Sequence, residues 1–115
     1  MTPLTNLDNT LTALADPTRR AILQRVALGE ARVTDLAEPF AMSLNAVSKH
    51  IRILERSGLV RRRKAGREHL LSLNTQPFDE AITWMETQRA FWKRNLVALD
   101  EILQAEDAAK ETGER

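Results

Sequence analysis

The stretch Thr34-Asp35-Leu36-Ala37-Glu38-Pro39-Phe40-Ala41-Met42-Ser43-Leu44-Asn45-Ala46-Val47-Ser48-Lys49-His50-Ile51-Arg52-Ile53-Leu54-Glu55-Arg56-Ser57-Gly58-Leu59-Val60 decides the fold. Thr34 suits the cap of a short helix, which Pro39 cuts short because proline offers no N–H and clashes with the preceding turn. Ser43 is the next N-cap, with a hydroxyl able to accept from a free amide of the first turn. From there Leu44, Val47, Ile51 and Leu54 recur at helical spacing as one stripe expected to bury against the preceding helices. On a 100° wheel Asn45, Lys49, Arg52 and Arg56 point the opposite way, with Ser48 on the flank. Gly58 stands where a helix ends in the left-handed region.

Outward from this pair, Leu59–Ala65 and Arg67–Leu73 read as two strands around an Ala65-Gly66 turn. Upstream, Leu4, Leu7, Leu11 and Leu14 mark an amphipathic helix with a leucine face. Asp16 caps the next helix and Pro17 fits its first position, where a missing N–H costs nothing. Ile22, Leu23 and Val26 give that helix its buried side, Gly29 supplies a stop, and Ala31 to Val33 are extended. Downstream, the period returns to helix at about Gln76. Phe78, Ile82, Met85, Trp92, Leu96, Leu99 and Leu103 follow alternating four- and three-residue steps, a seam of nearly ~40 Å at 1.5 Å per residue. After Glu106 the composition turns polar, and residues 107–115 are expected to form a disordered tail. The expectation is a mainly α protein with a small β-hairpin (α+β), one domain over residues 1–106 that includes a C-terminal helix at about 77–105.

At 115 residues, with 43% apolar and 29% charged residues, the composition is that of an ordinary soluble domain. There is no Cys, which removes disulfides and thiolate metal sites and agrees with a cytoplasmic location. Met1 to Asn9 lacks the basic-then-apolar pattern of a signal peptide, and no apolar run approaches the ~20 residues of a membrane span. The net charge of +1 conceals an asymmetry. Residues 1–74 carry 12 Lys/Arg against 7 Asp/Glu, and residues 75–115 carry 5 against 9, giving +5 and −4. Attraction to a polyanion is local, because salt screens it within ~8–10 Å.

The basic half holds the candidate reading unit. A polar-faced helix beside a basic hairpin suits double-stranded DNA: the helix enters the major groove and the hairpin holds the backbone. Asn45 can bond an adenine edge with two hydrogen bonds, and Lys49 or Arg52 can serve guanine or phosphate. Ser43 and Ser48 suit phosphate oxygens or base edges, and His50, at the border of the apolar stripe, is a packed or phosphate-contacting histidine. The bland alternative is a wet surface helix, against which stands the lack of any acid on that face before Glu55. The hairpin segment Arg61-Arg62-Arg63-Lys64-Ala65-Gly66-Arg67 has five cations in seven residues, with Arg62, Arg63, Lys64 and Arg67 as the backbone contacts. Its alternative is a charged hairpin guarding a sheet edge. The DNA reading requires a tip not folded against acidic side chains.

Two isolated histidines, without a carboxylate pair, a nucleophile or a Gly-rich phosphate loop, give no catalytic constellation, so no enzyme and no cofactor is expected. Trp84, Phe91 and Trp92 add apolar surface to the last helix beyond what one small domain needs. Trp is favoured at interfaces, so this helix is expected to pair subunits. The contact residues are Leu7 and Leu11 on the first helix with Trp84, Met85, Trp92, Leu96, Leu99 and Leu103 on the last. A two-fold dimer would set two reading helices one DNA turn apart and ask for an inverted-repeat operator.

Leu14-Ala15-Asp16-Pro17-Thr18-Arg19-Arg20-Ala21-Ile22-Leu23, Leu36-Ala37, Met42 to Leu54, Gly58-Leu59-Val60 and Gly66-Arg67 together resemble the ArsR family of bacterial transcriptional repressors, in the same order and spacing over residues 4 to about 104. The resemblance implies a dimeric winged helix-turn-helix whose first and last helices pair subunits, with the helix from Ser43 as reader and the hairpin as wing. It also implies repression of operators near the protein's own promoter. The family's metal-sensing members carry a cysteine segment that would fall on Val33 to Leu36, where this chain offers only Asp35. Their His and carboxylate set on the last helix has no counterpart, since no His follows His69. The chain is thus similar to branches that sense no metal and have a Trp-rich last helix, here Ala90-Phe91-Trp92. It departs from the family at Leu71, where members often carry Tyr. Two other classes stand beside this one: an interaction module that binds a protein through its Trp-rich helix, and a sensor using only oxygen and His ligands.

Overall fold

The computed structural model describes the backbone of residues 3–113 and the side chains of residues 6–110. Leu4 of the leucine series and the end of the expected tail fall outside the described side chains. The elements are α1 (Pro3–Leu14), α2 (Pro17–Val26), β1 (Ala31–Arg32), α3 (Val33–Ala37), α4 (Leu44–Ser57), β2 (Val60–Ala65), β3 (Glu68–Leu73) and α5 (Gln76–Gly113). The chain divides into a compact unit that ends at Ala81 and a second unit, the rest of α5, that begins at Ile82.

Local chemistry sets most boundaries in the compact unit. The Arg19 amide donates to Asp16 Oδ2 at 3.0 Å, and Pro17 opens α2. At α4 the Ala46 amide donates to Ser43 Oγ at 3.1 Å. The far end of α4 closes as a Schellman turn: Gly58 has φ 84°, its amide donates to Glu55 O, and the Leu59 amide donates to Leu54 O. Three boundaries differ from expectation. The last helical residue of α2 is Val26, and Gly29, with φ 147°, follows in the turn beyond it. Thr34 lies inside α3, whose cap is Arg32, because β1 hands the chain directly into the helix. α5 continues to Gly113, past Glu106, because Ala, Glu, Gln and Lys favour helix whatever their polarity and the first breaker is that glycine.

The sheet is antiparallel with order β1-β3-β2. The hairpin has the addition that Ala31 and Arg32 pair with Leu71 and Leu70, covering one edge of β3. Ala65 pairs with Glu68, so the two-residue turn is Gly66-Arg67 rather than Ala65-Gly66. Gly66 takes φ 66° at the first central position, as a type II′ hairpin turn requires.

Ile22 and Val26 of α2, Leu36 of α3, Val47, Ile51 and Leu54 of α4, Leu59 just before β2, and Val60 and Leu71 from the sheet are buried together, with Ala13 of α1. Each such aliphatic side chain contributes roughly 1.5–3 kcal/mol by leaving water. α4 is thereby packed on one face by α1, α2, α3 and β2, and its other face is left outward. Leu44 is the exception within the expected stripe. It is 50% exposed, because it occupies the first turn of α4, beyond the reach of the core.

In the second unit, Trp84, Met85, Phe91, Trp92, Leu96, Val97, Leu99, Ile102 and Leu103 are all exposed. Among the described residues no helix is long and apolar enough to cross a membrane.

Candidate nucleic-acid interface

On α4, Asn45, Lys49, Arg52 and Arg56 are exposed and Ser48 is half-buried. None of these five makes a side-chain hydrogen bond or ion pair among the described residues. Ser43 is exposed, and its oxygen is occupied as the cap acceptor. Its hydroxyl proton remains available to donate outward. His50 is turned toward the body, with Nδ1 at 3.2 Å from Arg19 Nη1 and 3.8 Å from Asp16 Oδ2. A guanidinium only donates, so in the contact with Arg19 it is Nδ1 that accepts.

Arg19 is a residue that sequence reading passed over. It is only 9% exposed, and it donates from Nε to Ala13 O at 2.9 Å and from Nη2 to Thr12 O at 2.8 Å. Arg20 donates to Leu14 O at 2.8 Å. The last carbonyls of α1, which have no partners within the helix, are thus met by cations that also suit the negative end of the helix dipole. Through His50 the same guanidinium ties α1 and α2 to α4. Asp16 completes the cluster, its carboxyl held below the ordinary range chiefly by the Arg19 amide.

The hairpin is not uniformly free of acids. Arg62 donates to both carboxylate oxygens of Glu55 on α4, at 3.1 and 2.8 Å. Arg63 does the same to Glu30, at 2.7 and 2.8 Å. These bonds hold the Glu30 carboxyl below its usual range and raise both arginines. Arg32 forms a third node, bonded to Asp35 at 2.9 and 3.2 Å and to Glu68 at 3.0 Å. The acids lie on other elements, so a seven-residue window could not find them. The side chains of Arg61, Lys64 and Arg67 have no hydrogen-bonding or ionic partner among the described residues. The requirement of a tip not folded against acids is met at Lys64 and Arg67, which stand free, and not at Arg62 and Arg63, which are engaged in ion pairs with the body of the protein.

α4 and the hairpin flank one cleft of about 400 Å³, lined by Leu44 and Ser48 on one side and Arg62 and Arg67 on the other. Of the expected contact residues between subunits, Leu7 and Leu11 are half-buried and Trp84, Met85, Trp92, Leu96, Leu99 and Leu103 are exposed.

Three stacked helices, the last with a polar outward face, followed by a two-stranded wing, define a winged helix-turn-helix. Residues 14–63 match the family model of a helix-turn-helix domain. The chain is 34% identical over 79 residues to the transcriptional repressor SdpR of Bacillus subtilis, covering 69% of this chain and 88% of that protein. A crystal structure of the ArsR family transcriptional regulator RHA00566 superposes with TM-score 0.75 at 40% identity, over 80% of this chain and 95% of that one. The homodimeric winged helix-turn-helix DNA-binding domain Mb0332 of Mycobacterium bovis, described as a possible ArsR-family regulator, superposes with TM-score 0.60 at 28% identity, over 76% and 79%. The chain belongs to the ArsR family of winged helix-turn-helix transcriptional regulators.

Proposed function

We propose that this regulator is a repressor that occludes promoter DNA as a homodimer, on an inverted-repeat operator that includes its own promoter. In this reading Asn45, Ser48, Lys49 and Arg52 read or position the major groove, Ser43 contacts a phosphate, and Lys64 and Arg67 hold the backbone. Arg62 and Arg63 set the position of the wing more than they neutralise phosphate, and His50 orients α4 from behind. The observation that carries the reading is the shared cleft, which brings Leu44 and Ser48 of α4 together with Arg62 and the free cation Arg67 of the hairpin. The apolar face of α5, with Trp92, Leu96, Leu99 and Leu103, supports pairing with a second copy, together with Leu7 and Leu11 of α1. The name of the SdpR repressor and the homodimeric state of Mb0332 agree with both parts. A regulator of this kind acts in the cytoplasm, where the DNA is.

The test is selection of duplexes from a random pool by the full chain, followed by footprinting of the DNA upstream of its gene. The expected site is an imperfect palindrome with half-sites ~34–36 Å apart, bound at least ~10³-fold tighter than random DNA. Sedimentation at micromolar concentration should show dimers. A specificity ratio below about tenfold would instead favour the second reading, a protein-interaction module using the exposed Trp84, Phe91 and Trp92.

A further inference from the structure

Leu44 is half exposed at the first position of α4. It is the exposed apolar side chain within the first turn of α4, between Ser43 and Asn45 and with Ser48 one turn on; Met42, also exposed, lies before the cap. It borders the cleft between α4 and the hairpin, with Ser48, Arg62 and Arg67. A leucine there contributes little to the core, since Val47, Ile51 and Leu54 fill the buried side of the helix completely. What it adds is an apolar surface at the end of the helix that would go deepest into a major groove. Among the groups displayed in that groove, the C5-methyl of thymine is the apolar one, and aliphatic side chains contact it.

We infer that Leu44 is a specificity-determining residue that selects thymine in each operator half-site by packing on its C5-methyl group. The inference rests on the reading of α4 as the recognition helix and deepens it, because it names the base and the atom. Hydrogen bonds from Asn45, Lys49 and Arg52 cannot distinguish thymine from uracil. Leu44 can do so, because the two bases present the same polar atoms and differ by one methyl. The position is also chemically independent of the salt-sensitive contacts, so its effect should persist at high ionic strength.

The experiment uses the full chain and the tightest duplex recovered from the random pool. Each thymine is replaced in turn by deoxyuridine, and Kd is measured by fluorescence anisotropy for wild type, L44A and L44M. Burial of one methyl predicts a loss of about three- to tenfold at one thymine per half-site for wild type. The same substitution should change binding less than about twofold for L44A, whereas L44M, which keeps an apolar side chain of similar volume, should retain the methyl dependence. Circular dichroism melts confirm that both variants fold. A flat uracil scan for wild type, or a methyl effect that persists undiminished in L44A, overturns the inference. The variants N45A and K49A, measured on the same duplex, separate this outcome from failure of the underlying reading. If they weaken specific binding while the uracil scan is flat, only the role of Leu44 is lost. If they too leave it unchanged, α4 is not the reader and both fall.

Discussion

Replacement of Glu30 by Gln should make DNA binding more sensitive to salt, although Glu30 is not itself expected to touch DNA. The reason is the bidentate pair that Arg63 makes with it, at 2.7 and 2.8 Å. The Glu30 carboxyl is held below its ordinary value by that arginine, so the pair is fully ionised at neutral pH and contributes no net charge to the wing. Lys64, next in sequence, has no such partner. Each phosphate neutralised contributes about 0.9 to the slope of log K against log salt. E30Q releases one arginine per chain, so the slope should steepen by ~0.9 per chain, or ~1.8 for a dimer. K64Q should flatten it by the same amount, which over a fourfold change of salt is roughly a tenfold difference in affinity. The double variant E30Q/R63Q removes a neutral pair and should keep the wild-type slope. Because the pair is solvent-exposed and screened, with Arg63 61% and Glu30 34% accessible, its loss should leave the stability of the fold nearly unchanged. Anisotropy titrations at four salt concentrations give the slopes. An unchanged slope for E30Q, or a double variant as flat as K64Q, would refute the idea that the pairing withholds Arg63 from DNA.

Two further outcomes test the scaffold. Asp16→Ala removes the cap of α2 and should destabilise the protein at neutral pH, read as a lower midpoint in urea titrations. Since folding lowers the carboxyl below its ordinary 3.8, the stabilisation it gives is complete above that pH and fades as pH falls through the folded value, so the variant and wild type should converge in acid. Gly58→Ala forces a side chain into φ 84° at the Schellman turn and should cost ~1–2 kcal/mol, read as a lower melting temperature. Its Cβ would meet Pro77 Cγ at an ordinary 3.4 Å, so the cost is conformational rather than steric.

The features legible in the sequence are those decided within a few residues. Asp16 and Ser43 accept from amides three positions on, and Gly58 donates to a carbonyl three positions back, so their roles follow from spacing alone. The turn of the hairpin was legible only to within one residue: a glycine can occupy either central position, and pairing of Ala65 with Glu68 across the sheet made the choice. The pairing of β1 with β3 was hidden because a two-residue strand has no pattern of its own. Arg62 and Arg63 seemed free because their acids lie 7 and 33 residues away in sequence. Arg19 gave no signal, since a buried arginine is recognised only by the carbonyls it meets. Leu44 was misplaced for a different reason. A helical wheel gives direction, but at a helix end direction does not ensure a neighbour.

That last point bears on how this fold accommodates different operators. α4 is fastened along most of its length: Arg19 holds His50 near its middle, Glu55 holds Arg62 of the hairpin, and Asn74 donates to Gly58 O at 2.9 Å beyond its C-terminus. Its buried residues begin at Val47. The first turn, with Leu44 and Asn45, is capped by Ser43 but contributes no side chain to the core. The part of the helix most able to meet bases is therefore the part least used for stability. On the reading proposed above, substitutions at positions 44 and 45 change which base is read without a large loss of packing, whereas substitutions at Ile51 or Leu54 trade against the fold, at about 2–5 kcal/mol for truncation to Ala. The first turn would then carry specificity without cost to the core, while Ser48, Lys49 and Arg52 would carry it from the outward side of the turns whose other side is packed.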